Sequence, residues 1–127
     1  MKLNILLIDD DPDEFDIFSK ALENLKYSFV FRYARDTEEA LGVMADFVPD
    51  FIFSDYNMPK EDGLAFLRRL KRSNFSNIAF VLYSTTINKE LQEKANSLGA
   101  SYWLKKPNSL AELAEKLKNV FILFSKF

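Results

Sequence analysis

Residues 51–64, with the sequence FIFSDYNMPKEDGL, contain a complete passage from a strand through a loop into a helix. Phe51 to Ser54 is a short apolar run that is typical of a buried strand. We expect a loop at Tyr56 to Asp62 and a helix over Leu64 to Arg72. The apolar positions of that helix are regularly spaced, at Leu64, Leu67 and Leu70. The segment therefore predicts one strand–loop–helix unit of an α/β fold.

The same alternation of short apolar runs and longer amphipathic stretches continues on both sides of this segment. The other predicted strands are Leu3 to Ile8, Phe29 to Ala34, Ile78 to Tyr83 and Tyr102 to Leu104. The other predicted helices run to about Leu25, over Thr37 to Phe47, over Asn88 to Leu98 before Gly99, and through Leu110 to Val120. Strict alternation implies right-handed crossovers and a parallel sheet covered on both faces. We predict an α/β, flavodoxin-like (βα)5 doubly wound sandwich with strand order 2-1-3-4-5.

The start of the first helix carries a local prediction. In the run Asp11-Pro12-Asp13-Glu14, aspartate is a suitable cap, proline suits the first turn, and Glu14 is expected to complete a capping box. Four apolar residues are expected to form one face of this helix against the sheet: Phe15, Phe18, Leu22 and Leu25.

The composition restricts the chemistry that the chain can perform. Its 127 residues are 48% hydrophobic and 28% charged, and we expect one domain over residues 1–127 with no output domain. There is neither cysteine nor histidine, which excludes disulfides, thiolate zinc sites, a histidine base and a phosphohistidine in this chain. No apolar stretch reaches the roughly 18 to 20 residues of a membrane span, so we expect a cytoplasmic protein. A net charge of −2 disfavours direct nucleic acid binding.

Polar side chains collect where the predicted strands end. Asp9 to Asp11 follow the first strand, Asp55 the third, Ser84 to Thr86 the fourth, and Lys105 and Lys106 the fifth. In a parallel sheet of this type, these ends form the ligand-binding crevice. Clustered carboxylates repel one another unless a hard cation or an ammonium compensates their charge, and Mg2+ fits best. An aspartate in such a site can attack phosphorus and become an acyl phosphate.

The chain resembles the receiver domain of two-component response regulators from Leu3 to about Phe121. The motifs that carry the resemblance are Asp9-Asp10 followed by Asp11-Pro12, the run Pro49 to Asp55 followed by Met58-Pro59 and Asp62-Gly63, Ser84 after the fourth strand, and Gly99-Ala100 leading to Lys106-Pro107. Each motif is short, but their order and spacing together are specific.

The resemblance implies a phosphorylation site that depends on magnesium. It implies that Asp55 is the phosphoacceptor and also a metal ligand. Asp10 would bind Mg2+ directly, Asp9 through water, and Asn57 through its backbone carbonyl.

The resemblance also implies residues that contact the phosphoryl group. Ser84 would hydrogen-bond it, and Lys106 would form a salt bridge to it. We choose Lys106 over Lys105 because it directly precedes Pro107, at a peptide bond that is often cis in the family. Trp103 would be the switch aromatic.

Three residues depart from the family pattern. Thr85, at a switch position, stands where the family generally has a very small residue, so dephosphorylation is expected to be slow. Trp103 is bulkier than the usual tyrosine or phenylalanine, which would mute the switch. Asn108 replaces a common aromatic and would alter partner choice.

The implied function is signal transduction rather than enzymatic turnover. A phosphohistidine on a histidine kinase or a histidine phosphotransfer protein would donate to Asp55, and the chain would assist its own phosphorylation and dephosphorylation. The output would be a downstream protein partner or onward phosphotransfer. The face of the fourth helix, fifth strand and fifth helix would present the signal and would be the interface of a homodimer.

Three alternatives remain from the residues themselves. The first is a receiver-like interaction module that is never phosphorylated. The second is an aspartate-nucleophile phosphohydrolase, which would normally carry its nucleophile after the first strand. The third is a flavodoxin, whose first turn should bind phosphate, and three aspartates in that turn would repel the phosphate.

The apolar end from Val120 to Phe127 is too rich in aromatic residues for one helix face to bury all of it. Core packing by Val120, Phe121 and Phe124 and a dimer or partner patch stay open as alternatives.

Overall fold

The computed structural model describes residues 2–124, in which five strands alternate with five helices. The strands are β1 (Lys2–Ile8), β2 (Ser28–Ala34), β3 (Phe51–Ser54), β4 (Ala79–Ser84) and β5 (Tyr102–Lys105). The helices are α1 (Asp13–Glu23), α2 (Thr37–Met44), α3 (Gly63–Lys71), α4 (Lys89–Ser97) and α5 (Leu110–Phe124). The predicted sequence of elements is confirmed, although α1 and α2 end earlier than expected, at Glu23 and Met44. None of the helices described is long and apolar enough to cross a membrane.

The five strands form one parallel sheet in the order β2-β1-β3-β4-β5, which confirms the predicted flavodoxin-like topology. In the central pair, Ile8 of β1 lies beside Ser54 of β3. The residues that follow them are therefore neighbours too, and the Asp55 N–H donates to the Ile8 carbonyl at 2.8 Å. This register places the ends of β1 and β3 at the switch point of the sheet, where open α/β folds bind ligands.

Each face of the sheet is covered by helices, which explains why the central strands are apolar without alternation. On one face, Ile5 and Leu7 of β1 lie in a cluster that includes Phe18 of α1 and Phe121 of α5. On the other face, Leu6 and Ile8 lie in the cluster formed with α2, α3 and α4. Each fully buried side chain of this size contributes about 1.5 to 3 kcal/mol, so the two clusters fix the strand ends firmly.

The capping box predicted at the start of α1 is wrong. Asp11 does act as a cap, because its Oδ1 accepts from the Asp13 N–H at 3.0 Å. The Glu14 side chain instead turns towards Tyr83 and Lys106, since the ammonium of Lys106 attracts the carboxylate inwards. Phe15 lies against the sheet as predicted, since its ring stacks on Phe31 of β2, but at this edge of the sheet the side chain stays 36% exposed.

The end of α5 divides between core and surface. Val120 and Phe121 are buried, as core packing predicts. Phe124 is not part of the core and is 39% exposed. Its ring packs on Tyr102, which is itself exposed on the edge strand and cannot cover it. Ile122 and Leu123 are also exposed, and residues 125–127 of the apolar end lie outside the described residues.

Candidate functional site

Three aspartates meet at the carboxyl ends of β1 and β3. Each of Asp9, Asp10 and Asp55 offers a carboxylate oxygen, and these oxygens lie within 4.8 Å of one another. Asp9 is fully buried and Asp55 is 8% exposed, whereas Asp10 is exposed. We call these three residues the acidic cluster. Parallel pairing of β1 with β3 brings them together from segments that are far apart along the chain.

Lys106 is the cation of this site. Its Nζ lies 2.7 Å from Asp9 Oδ2 and 3.9 Å from Asp55 Oδ2, and the Lys106 side chain is only 10% exposed. The Lys106 N–H donates to the Ser84 carbonyl at 2.8 Å, which extends the pairing of β4 with β5 by one bond. The neighbouring Lys105 is exposed, and the bond between Lys106 and Pro107 is trans rather than cis.

Burial makes the negative charges of the site costly. It raises the pKa of Asp55 to about 6, against the opposing attraction of Lys106 and with a further increase from Asp9. Burial likewise raises the pKa of Asp9, although Lys106 hydrogen-bonds to it. Burial alone would lower the pKa of Lys106, but the surrounding carboxylates raise it above its ordinary value. The ammonium therefore stays charged at neutral pH, and negative charge remains in excess around it.

The donor set fits a hard divalent cation. Asp9, Asp10 and Asp55 offer carboxylate oxygens and no nitrogen or sulfur ligand, which is the chemistry of Mg2+, Mn2+ or Ca2+ sites. One ammonium cannot neutralise these three carboxylates, so a cation would relieve the repulsion that adds to the effect of burial on Asp55. Asn57 lies exposed in the loop two residues after Asp55, close enough along the chain for its backbone to contribute.

The other predicted residues are placed at different depths. Ser84 is 1% exposed at the last position of β4, while Thr85 directly after it is exposed. Trp103 is half-buried, lies beside Leu82 in the sheet and packs against the cluster on the α4 side. The strand ends thus bring Ser84 and Lys106 together, whereas Trp103 lies further back along β5.

The β3–α3 loop, residues 55–62, is closed tightly against the end of β3. The Gly63 N–H donates to the Tyr56 carbonyl at 2.9 Å. A Cβ at position 63 would collide with the backbone carbonyl of Asp55, so only glycine fits there. Glu61 holds the loop from outside, since it accepts from Thr37 at 2.7 Å and pairs with Arg69 at 2.7 Å.

Sequence reasoning missed three side chains that support the site. The Tyr33 hydroxyl donates to the Asp9 carbonyl at 2.7 Å, and burial raises the pKa of Tyr33 to about 12. The Tyr83 hydroxyl donates to Glu14 Oε1 at 3.3 Å, and Glu14 Oε2 lies 3.8 Å from Lys106 Nζ. One signal was available in the sequence, because Glu14 lies in the first turn of the helix that follows the end of β1 and can therefore lie near that strand end.

The sequence and the fold both match known proteins. Residues 5–118 match the family model described as response regulator receiver domain. "Probable chemotaxis protein CheY" of Rhizobium etli is 29% identical over 121 residues, which cover 94% of this chain and 93% of the relative. "Phosphate regulon transcriptional regulatory protein PhoB" of Pseudomonas aeruginosa is 30% identical over 117 residues, which cover 91% of this chain and 50% of that relative. The solved structure of chemotaxis protein CheY4 of Vibrio cholerae superposes with a TM-score of 0.80 at 26% identity, over 94% of this chain and 99% of the other.

Proposed function

Because the chain belongs to the response regulator receiver domain family, we propose that it is a phosphoacceptor switch in which Asp55 takes a phosphoryl group from a phosphohistidine on a separate protein. The observation that carries this proposal is the convergence of the acidic cluster with one enclosed lysine. Receiver domains are generally switches rather than enzymes, and the similarity to a CheY-type protein along nearly its whole length supports a switch here.

Transfer to Asp55 needs no separate base. The carboxyl has a pKa of about 6, so it is largely ionised at neutral pH and its oxygen can attack phosphorus directly. As the new oxygen–phosphorus bond forms, the phosphorus–nitrogen bond of the donor breaks. Asp9, Asp10, Asp55 and the backbone carbonyl of Asn57 would hold Mg2+, which supplies positive charge to the phosphoryl oxygens.

Lys106 and Ser84 would act on the transferred group. The Lys106 ammonium is 3.9 Å from Asp55 Oδ2, so a short movement of its flexible side chain brings it to a phosphoryl oxygen. The Ser84 hydroxyl lies at the neighbouring strand end and would donate to another oxygen. Because the backbone N–H of Lys106 is hydrogen-bonded to the Ser84 carbonyl, the two residues would respond together to the charge of the phosphoryl group.

The output of the switch would be a change in the surface around α4, β5 and α5. Thr85 starts the loop that follows Ser84, and Trp103 packs beneath α4, so both can respond to movement of that loop. The donor would be a histidine kinase or a histidine phosphotransfer protein, and the receiver of the signal a downstream protein or a second copy bound through this face. One domain over residues 1–127 also stays a prediction.

The proposal is tested by intact mass after incubation with Mg2+ and a small-molecule phosphodonor such as acetyl phosphate. We expect the wild type to gain one phosphoryl group and Asp55→Asn to gain none. Asp50→Asn is the matched control, because Asp50 lies at the opposite edge of the sheet and accepts from the Asn4 N–H. Equal labelling of wild type and Asp55→Asn would contradict the assignment, and labelling of neither would favour a receiver-like interaction module.

A further inference from the structure

Glu14 is a partly buried carboxylate that neither caps its helix nor belongs to the acidic cluster. It lies in the first turn of α1, and its side chain is 13% exposed. Its two oxygens face different partners, because Oε1 accepts from the Tyr83 hydroxyl at 3.3 Å and Oε2 lies 3.8 Å from Lys106 Nζ. Burial raises the pKa of Glu14, and Lys106 opposes this rise. Lys106 is therefore the cationic partner of this carboxylate, and Tyr83 is its hydrogen-bond donor.

Tyr83 fixes the position of Glu14 and also contacts the lysine. Its ring is 1% exposed and lies edge-on to Phe18 and Phe53, so its hydroxyl has little freedom to move. The Lys106 Nζ lies 5.4 Å from the centre of the same ring, a distance suited to a cation–π contact. Glu14 and Tyr83 therefore form one wall of the space around the ammonium.

The other wall of this space is the Asp9 carboxylate, which a bound cation would also contact. Without a cation, Asp9 is the nearest anionic partner of Lys106, at 2.7 Å. A cation held by the acidic cluster would compete with Lys106 for the same Asp9 carboxylate. Glu14 is outside that cluster and keeps its charge available to Lys106. Already in the structure the ammonium lies 3.8 Å from Glu14 Oε2 and 3.9 Å from Asp55 Oδ2, so these two carboxylates are its remaining partners.

We propose that Glu14, held by the Tyr83 hydroxyl, is a positioning residue that keeps the Lys106 ammonium beside Asp55 when a cation engages Asp9. This inference rests on the proposed phosphorylation of Asp55. Glu14 touches neither the cation nor the phosphoryl group and acts through Lys106 alone. Its loss should slow the maximum rate of phosphoryl transfer without weakening donor binding, since removing a negative charge does not repel an anionic donor.

The test is a double-mutant cycle between Glu14→Gln and Lys106→Met, which separates action through the lysine from a general structural effect. The rate of phosphorylation by acetyl phosphate with saturating Mg2+ is measured by intact mass at several donor concentrations. We expect Glu14→Gln to lower the maximum rate about five-fold, a factor in the range of a partly buried charge pair. In the Lys106→Met background the same change should alter the rate by less than about two-fold.

Two further variants keep the test sharp. Tyr83→Phe retains the buried ring and removes only the hydroxyl, so it should lower the maximum rate in the same direction by about two-fold. Asp16→Asn removes a charge from the exposed side of the same helix and should leave the maximum rate unchanged within the error of the measurement. Circular dichroism verifies that each variant is folded.

The outcomes separate the two proposals. Equal losses for Glu14→Gln in the wild-type and Lys106→Met backgrounds would overturn the positioning role while phosphorylation of Asp55 stands. A loss confined to donor affinity, or an equal loss for Asp16→Asn, would also overturn it. A wild type that takes no phosphoryl group from acetyl phosphate or from a phosphohistidine donor would overturn the proposed function and the positioning role together.

Discussion

Replacing Asp55 with asparagine should stabilise the protein when no divalent cation is present. Burial raises the pKa of this carboxyl from 3.8 to about 6. At about 1.36 kcal/mol per unit, the ionised carboxylate costs the folded state about 3 kcal/mol at neutral pH. Because the Asp55 side chain is only 11% exposed, screening by solvent lowers this free-energy cost only slightly. Asparagine keeps an oxygen for the Tyr56 N–H, which now donates to Asp55 Oδ1 at 2.8 Å. We expect Asp55→Asn to be about 2 to 3 kcal/mol more stable.

Urea unfolding at about pH 7.5 in the presence of a chelator measures this difference. Asp46→Asn is the matched control, because Asp46 is exposed beyond the end of α2 and its loss should change stability by less than about 0.5 kcal/mol. Saturating Mg2+ should shrink or reverse the gain, since it stabilises the wild type by binding to the acidic cluster.

The pH dependence gives a second readout with a defined sign. The folded pKa of Asp55 lies above its unfolded value, so protonation favours the folded state. The cost of the carboxylate is fully present above about pH 6 and disappears as the pH falls towards 3.8. The advantage of Asp55→Asn should decrease over the same range. An Asp55→Asn variant that is no more stable than the wild type in chelator at neutral pH would refute the reasoning.

Three further changes have expected outcomes. Lys106→Met should slow phosphorylation, measured by intact mass, about 100-fold. It should also lower stability in urea by about 3 kcal/mol, because it leaves buried carboxylates unpaired. A rate within about two-fold of the wild type would contradict the role of Lys106. Gly63→Ala should lower stability by about 2 to 3 kcal/mol in urea, since its Cβ would collide with the Asp55 carbonyl. Gly42→Ala is the control, because its Cβ would meet nothing within 4 Å, and it should raise stability by about 0.5 kcal/mol. Equal effects of the two substitutions would contradict this prediction. Tyr33→Phe removes the 2.7 Å hydrogen bond to the backbone carbonyl of Asp9. It should lower stability in urea by about 1 kcal/mol and weaken Mg2+ binding measured by calorimetry. Unchanged values would show that this bond is dispensable.

The fold was predictable from sequence because its cause is local and repeated. Buried strands such as Phe51–Ser54 are short apolar runs, and the helices between them have regular apolar faces. The position of the acids also followed, since residues directly after parallel strands share one edge of the sheet. Helix ends were less accurate because fraying and packing, rather than periodicity, decide the last turn.

The surroundings of the lysine could not be deduced from local patterns. The spacing of Glu14 fits a capping box. Lys106 and Tyr83, which are distant in the chain, contact its carboxylate instead and draw it away from the start of the helix. Phe124 continues the apolar face of α5, yet the edge strand beneath it offers only an exposed tyrosine at position 102. In both cases tertiary contacts outweigh the local signal.

The most direct measurement is chemical trapping of the phosphorylated residue. The wild type is incubated with Mg2+ and acetyl phosphate, reduced with borohydride, and digested for peptide mass spectrometry. An acyl phosphate on aspartate is reduced to homoserine, so we expect homoserine at position 55 only in protein exposed to the donor. Homoserine at another aspartate, or phosphate on a serine or threonine with position 55 unchanged, would contradict the assignment of Asp55 as the phosphoacceptor.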